Sequence, residues 1–207
     1  KRFGNLAARR PSAVTAFDTF VQRAPILTSR GKPALAEHYR LLADETEERA
    51  LAGVVPVPGE RFRLLWDNIA PWHQLRAMSS RLASLGANIV AASYTYCVGS
   101  LEGQVELFDY DGGDPFRYLA RIQNFSVCPQ GLGLRSRAME SAVSAFGIDG
   151  IVFASNRSCK VYSVMQMDQL ALVSERTGVP AVMIDVDHAD ARKDSEETAF
   201  ARIEALL

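Results

Sequence analysis

Apolar and polar positions follow two rhythms: a helical one over roughly the first fifty residues, then short β-rich runs alternating with longer helical stretches. Pro11 and Ser12 open a segment in which Val14, Phe17 and Val21 recur at helical spacing, and Pro25 closes it. After a turn at Ser29–Lys32, Pro33 stands at a first helical position and Gly53 at a C′ position. Leu35, Tyr39 and Leu42 share one face of this second helix, and Glu45 and Arg49 form an i, i+4 pair in the favourable orientation. Residues 1–58 are therefore expected to be a helical lead-in, ending in a connector that contains Pro56 and Pro58.

From Arg61 onward the alternation predicts βαβ units around a parallel sheet, with strands at Phe62–Trp66, Asn88–Ser93, Gly150–Ala154 and Ala181–Val186. Punctuation between them is conventional: Pro71 near a helix start and Gly86 at its end, Asp114 and Pro115 as N-cap and first turn, and Gly147 and Gly178 after later helices. A capping box at Asp194 and Glu197 opens a last helix that runs to Leu207. Gly99, Gly103, Gly112 and Gly113 break Tyr94–Asp114 into loop, with a hairpin at Val105–Phe108. The expected fold is α/β over residues 59–207: a Rossmann-like or flavodoxin-like parallel four-stranded sheet with flanking helices.

Composition narrows the partners. A chain of 207 residues, 48% hydrophobic and 23% charged, is ordinary for a globular protein. Twenty-three Lys plus Arg against twenty-four Asp plus Glu leave a net charge of -1, which gives no global attraction for nucleic acid or anionic lipid. The first fifty residues carry nine basic and six acidic groups, so the slight positive excess lies in the lead-in. The charge-free run Leu82–Leu101 is interrupted by Ser84, Gly86, Asn88, Ser93 and Thr95, so no membrane span is predicted. The chain begins with Lys1 and enters helical text at once, which points to a piece of a longer protein. Cys97, Cys128 and Cys159 are odd in number and contain no CxxC pair. Neither a disulfide framework nor a paired zinc pattern is expected, and a reducing, cytoplasmic compartment is.

In an open parallel sheet ligands bind outside the carboxyl ends of the strands, so the chemistry is sought there. Asp67, Asn68, Pro71 and Trp72 follow the first strand, and Tyr94, Tyr96 and Cys97 the second. Ser155–Lys160 follows the third, and Asp185, Asp187 and His188 close the fourth. Cys159, flanked by Arg157 and Lys160 and followed by a helix beginning near Ser163, has surroundings that favour a thiolate. Such a thiolate serves as nucleophile, redox thiol or metal ligand; the alternative is a small buried hydrophobe in a tight turn. Cys97 and Cys128 have no adjacent cation and read as structural or loop cysteines. Asp185–His188 reads either as a metal site or as strand-end acids that cap backbone amides. The pair Gly131 and Gly133 lacks both the third glycine and the preceding strand of a dinucleotide fingerprint. Neither a Walker A pattern nor a GxSxG elbow occurs, and His38 and His73 read as helical surface residues.

The segment Asp149–Lys160 (DGIVFASNRSCK), then Gly178–Asp187 (GVPAVMIDVD), then Ser195–Thr198 and a closing Arg202–Leu206, resembles the C-terminal part of the 2-hydroxyacyl-CoA dehydratase and benzoyl-CoA reductase family. Arg63–Trp72 (RLLWDNIAPW), followed by a helix and Gly86, is similar to that family too, so the likeness covers nearly the whole chain. The resemblance implies a subunit of an oxygen-sensitive heterodimer in which each subunit holds a [4Fe-4S] cluster on three cysteines. Cys159 matches the third of these, and the other two are expected in an N-terminal domain of the parent protein. It further implies an ATP-dependent iron-sulfur activator protein and an acyl-CoA substrate. One electron turns the thioester carbonyl of a 2-hydroxyacyl-CoA into a ketyl radical anion, which expels the hydroxyl; in the benzoyl-CoA reductase branch, electrons reduce the aromatic ring. Asn156, Arg157, Ser158, Lys160 and Tyr162 are then expected around the cluster. Trp66, Trp72 and Tyr96 line the acyl pocket or are core and interface aromatics. A member that has lost catalysis and serves as a binding module is the reading from another class.

Overall fold

Helix starts in the lead-in follow local chemistry. In a computed structural model, which describes residues 2–96, 112–124, 130–193 and 196–207, α1 (Arg2–Asn5) is a single turn. Thr15 caps α2 (Ala16–Val21) with a reciprocal box: its Oγ1 accepts the Asp18 N–H at 3.1 Å while the Asp18 carboxylate accepts the Thr15 N–H at 2.9 Å. The chain breaks at Gln22 and restarts as α3 (Arg23–Ser29), so Pro25, expected to close the first helix, lies in the first turn of the second. A proline is tolerated there because the first amides of a helix have no intrahelical acceptor. Pro33 opens α4 (Pro33–Leu51), and Gly53 follows its end at φ +78°. Glu45 and Arg49 lie 3.9 Å apart and exposed, a pair worth a few tenths of a kcal/mol at most.

The alternating part builds β1 (Phe62–Asp67), α5 (Leu75–Ser84), β2 (Ala87–Ala92), α6 (Pro115–Asn124), α7 (Leu132–Phe146), β3 (Gly150–Asn156), α8 (Lys160–Ser163), α9 (Gln166–Thr177), β4 (Ala181–Val186) and α10 (Glu196–Glu204). Two strand ends differ in a way that matters. The second strand stops before Ser93, which opens a 3₁₀ turn, Ser93–Tyr96, and the third runs on through Ser155 and Asn156. The Asp114 cap is present, with its Oδ1 accepting the Phe116 N–H at 2.9 Å. The helix expected near Ser163 begins earlier and is split: one turn, Lys160–Ser163, then Val164 and Met165, then α9. The hairpin expected at Val105–Phe108, the Asp194 cap, Cys97 and Cys128 lie outside the described residues.

All strand pairs are parallel, in the order β2-β1-β3-β4. This is the flavodoxin-like order over its first four strands, with the switch point between β1 and β3. Both faces are covered, as a parallel sheet requires. Phe17 and Phe20 of α2, Met78 and Leu82 of α5, and Phe200 and Ile203 of α10 pack on one face against Leu64, Trp66, Val152 and Ile184. Met139 of α7 and Val173 of α9 pack on the other against Leu65, Val90, Ile151 and Phe153. The lead-in thus contributes α2 to the core of the sheet.

A second attachment lies at the amino ends of the strands, where the fully buried Arg63 donates from Nε to the Phe146 carbonyl at 2.7 Å, from Nη1 to the Arg9 carbonyl at 3.0 Å and from Nη2 to the Ala7 carbonyl at 2.6 Å. Its Nη1 also meets Glu60 Oε1 at 2.5 Å. Among the described residues no helix is long and apolar enough to cross a membrane.

Candidate functional site

At the carboxyl end of the sheet a polar network fills the switch point. Asp67, the last residue of β1, is fully buried; its Oδ1 accepts the Ser93 hydroxyl at 2.6 Å and its Oδ2 the Gln166 side-chain amide at 2.6 Å. Arg135 of α7, 1% exposed, approaches the same Oδ2 at 3.8 Å. Asn68 turns the chain at φ +99°, a conformation asparagine tolerates better than most side chains. Its Oδ1 accepts the Ile69 N–H at 2.7 Å, and its Nδ2 donates to the Ala154 carbonyl at 2.8 Å. Ser163 closes the network, its hydroxyl donating to the Asn156 carbonyl at 2.8 Å.

The turn after β3 carries Cys159. Its N–H donates to the Asn156 carbonyl at 3.1 Å, and its half-buried side chain packs against Tyr162, as do Leu134 and Ala138. Asn156 is buried in a fixed orientation. The Ser158 N–H, which can only donate, meets Oδ1 at 3.1 Å, so the His188 Nδ1 at 2.9 Å from the same oxygen must donate as well. Nδ2 is then left as a buried donor with no partner among the described residues.

Ser158 donates its hydroxyl to the Asp187 carboxylate at 2.8 Å, and Asp187 also accepts the N–H groups of Ala189 and Asp190. The Ala189 amide first and the Ser158 hydroxyl next hold Asp187 below the ordinary carboxylate range. Of the two readings of Asp185–His188, the capping one is therefore the one the geometry shows. Asp185 points outward to Arg157 at 3.8 Å, both exposed, and no group of three or more His, Cys, Asp and Glu side chains is arranged for a metal among the described residues.

Asn156, Ser158, Cys159 and His188 are brought together, whereas Arg157 and Lys160 are exposed. The helix after Cys159 is too short to carry the dipole expected of it. Trp66 is 0% exposed in the sheet core, edge-on to Phe17, and so lines no open pocket. Trp72 is 41% exposed on the 3₁₀ turn Trp72–Gln74, edge-on to Phe20 and Tyr94. Tyr96 ends its turn beside the second strand, and its side chain lies outside the described residues. Sequence reasoning missed Arg135, Gln166, Ser93 and Ser163 as parts of the site; the signal present was Asp67 at a strand end, which needed a buried partner.

The family model described as 2-hydroxyglutaryl-CoA dehydratase, D-component, matches residues 1–207. The chain belongs to that family. Among curated proteins, this chain is 29% identical over 99% of its length to the (R)-phenyllactyl-CoA dehydratase alpha subunit of Clostridium sporogenes, covering 48% of that protein. It is 30% identical over 97% of its length to a benzoyl-CoA reductase subunit of Thauera aromatica, covering 48%. It is 26% identical over 96% of its length to the (R)-2-hydroxyglutaryl-CoA dehydratase alpha subunit of Acidaminococcus fermentans, covering 39%. The chain thus spans about half the length of the curated relatives it matches.

Proposed function

We propose that this chain is the C-terminal α/β domain, with its helical lead-in, of a 2-hydroxyacyl-CoA dehydratase subunit, and that Cys159 supplies one thiolate to a [4Fe-4S] cluster. The observation that carries this reading is the position of Cys159 at the switch point, its N–H bonded to the carbonyl of Asn156, whose buried side-chain donor Nδ2 has no partner among the described residues. Anionic sulfur is a natural acceptor for such a donor, and hydrogen bonds to cluster sulfurs tune their potential. The described residues offer one cysteine ligand, so the remaining ligands come from elsewhere in the protein.

When bound, such a cluster supplies one low-potential electron to the thioester carbonyl of a 2-hydroxyacyl-CoA, which permits loss of the hydroxyl by way of a ketyl radical. The chain's own residues hold the ligand turn. Asn156 ties Ser158 and Cys159 to the end of β3, and His188 and Asp187 fix the same loop from β4. The relatives' names, subunits of enzymes that act on acyl-CoA compounds, support an acyl-CoA substrate and a partner subunit. The proposal further takes the two subunits as a heterodimer, an ATP-dependent iron-sulfur activator protein as electron donor, and the cytoplasm as the setting. The likeness to a benzoyl-CoA reductase subunit supports ring reduction as the second reading.

The test is iron and acid-labile sulfide in the full-length gene product, purified without oxygen, beside its Cys159→Ser variant. About four irons per subunit, lost in the variant together with water elimination, is the expected result. Unchanged iron in the variant would remove Cys159 from the ligand set. No iron in either protein would leave a binding module on the same fold. Product analysis with a 2-hydroxyacyl-CoA and with benzoyl-CoA separates the two enzyme branches.

A further inference from the structure

The fold contains a buried ion pair that ligation by Cys159 does not by itself require. Removing two charges from water is expensive, and an apolar pair of similar size commonly stabilises a protein as well or better. Asp67 and Arg135 therefore call for an explanation other than stability. Their arrangement is directional. Asp67, held by Ser93 and Gln166, sits at the end of β1, while the Arg135 guanidinium reaches across to the turn that follows Cys159. There its Nη1 donates to the Val161 carbonyl at 3.2 Å, and the group lies 4.4 Å above the ring of Tyr162, which packs against Cys159. The Arg135 Nε has no partner among the described residues. The pair is thus a fixed dipole, its positive end over the cysteine turn and its negative end drawn back to the carboxyl end of β1.

We propose that the Arg135–Asp67 pair sets the electrostatic potential at Cys159, and with it the reduction potential of the iron-sulfur group ligated there. The inference rests on the cluster reading above. Reduction adds one negative charge to the cluster, and a cation fixed on the near side in a low-dielectric interior favours the reduced form, while the more distant carboxylate opposes it. Both are positioning residues: they act through Tyr162 and the α8 turn and touch neither cluster nor substrate.

The test is the midpoint potential of the full-length enzyme with its partner subunit, titrated without oxygen and followed by electron paramagnetic resonance, after iron content has been measured. Arg135→Gln is expected to shift the midpoint downward and Asp67→Asn upward. Arg135→Lys is expected to stay near the unsubstituted value, and the double variant to fall between the two singles. Potentials that stay put, or that move the same way in both single variants, would overturn the proposal. So would loss of the cluster from Arg135→Lys as well as Arg135→Gln, since the arginine would then serve only to hold the fold. Absence of iron from the unsubstituted enzyme is a separate result, seen before any titration, and it overturns the cluster reading along with this one.

Discussion

Replacing Arg63 by methionine tests the attachment between lead-in and sheet. The substitution conserves much of the side-chain volume and removes a buried cation. Glu60, whose side chain is 3% exposed, is left as an uncompensated charge, and the carbonyls of Ala7, Arg9 and Phe146 lose their donor. Glu60 has little room to turn toward solvent, because its Oε2 accepts the Ser12 N–H at 3.1 Å and the Asn88 side-chain amide at 2.9 Å. Breaking one side of a buried pair costs about 3–5 kcal/mol. At roughly 2–4 °C per kcal/mol for a domain of this size, the melting temperature should fall by about 6–20 °C. Urea denaturation followed by circular dichroism, on Arg63→Met, Glu60→Gln and the double variant, closes a thermodynamic cycle. The double variant should recover roughly 2 kcal/mol, since the stranded charge is gone. A loss under about 1 kcal/mol in Arg63→Met, or a double variant no more stable than the single, would refute the claim that this pair welds the lead-in to the sheet.

Asp187→Asn should flatten the acid limb of the stability profile. The carboxylate is held below its ordinary value in the fold, so it contributes stability above the unfolded value near pH 4 and loses it as the pH falls through the folded one; denaturation midpoints measured from about pH 6 to pH 2 read the difference. Gly86→Ala should destabilise well beyond the cost of Gly178→Ala, although both glycines have φ near +70°. A Cβ at residue 86 would lie 2.8 Å from the Gly59 carbonyl oxygen, whereas one at residue 178 meets nothing within 4 Å among the described residues, so the second variant should lose only about 1 kcal/mol in the same urea assay.

The strands were legible because β-rich runs such as Leu64–Trp66 and Ile151–Ala154 stand between glycines, prolines and helical text. Their ends were less so. Ser155 and Asn156 read as loop by residue type, yet they pair with Asp185 and Val186, because the ladder to β4 continues past the apolar run. Pro25 reads as a stop, but the break at Gln22 puts it where a first turn needs no amide. Trp66 reads equally as a pocket or a core aromatic, and its place in the core follows from a parallel sheet covered on both faces, which buries successive residues alike. The position of Cys159 after a strand was legible. Arg135 and Gln166 were not, because a polar residue in helical text looks the same whether it faces water or a buried carboxylate; only the packing of α7 and α9 against the end of β1 distinguishes them.

Asp67 and Arg63 lie on one six-residue strand, and that strand is hydrogen-bonded on both sides. The lead-in clasp and the carboxyl-end network therefore share one backbone, whose middle residues Leu64–Trp66 are laddered to β2 and β3 at once. Amides of Leu64, Leu65 and Trp66 should be among the slowest in the chain to exchange with deuterium, at rates set by global unfolding. The floor of the crevice is thus as long-lived as the fold itself, and the turn after Cys159 is seated in the same interior through Tyr162, 1% exposed.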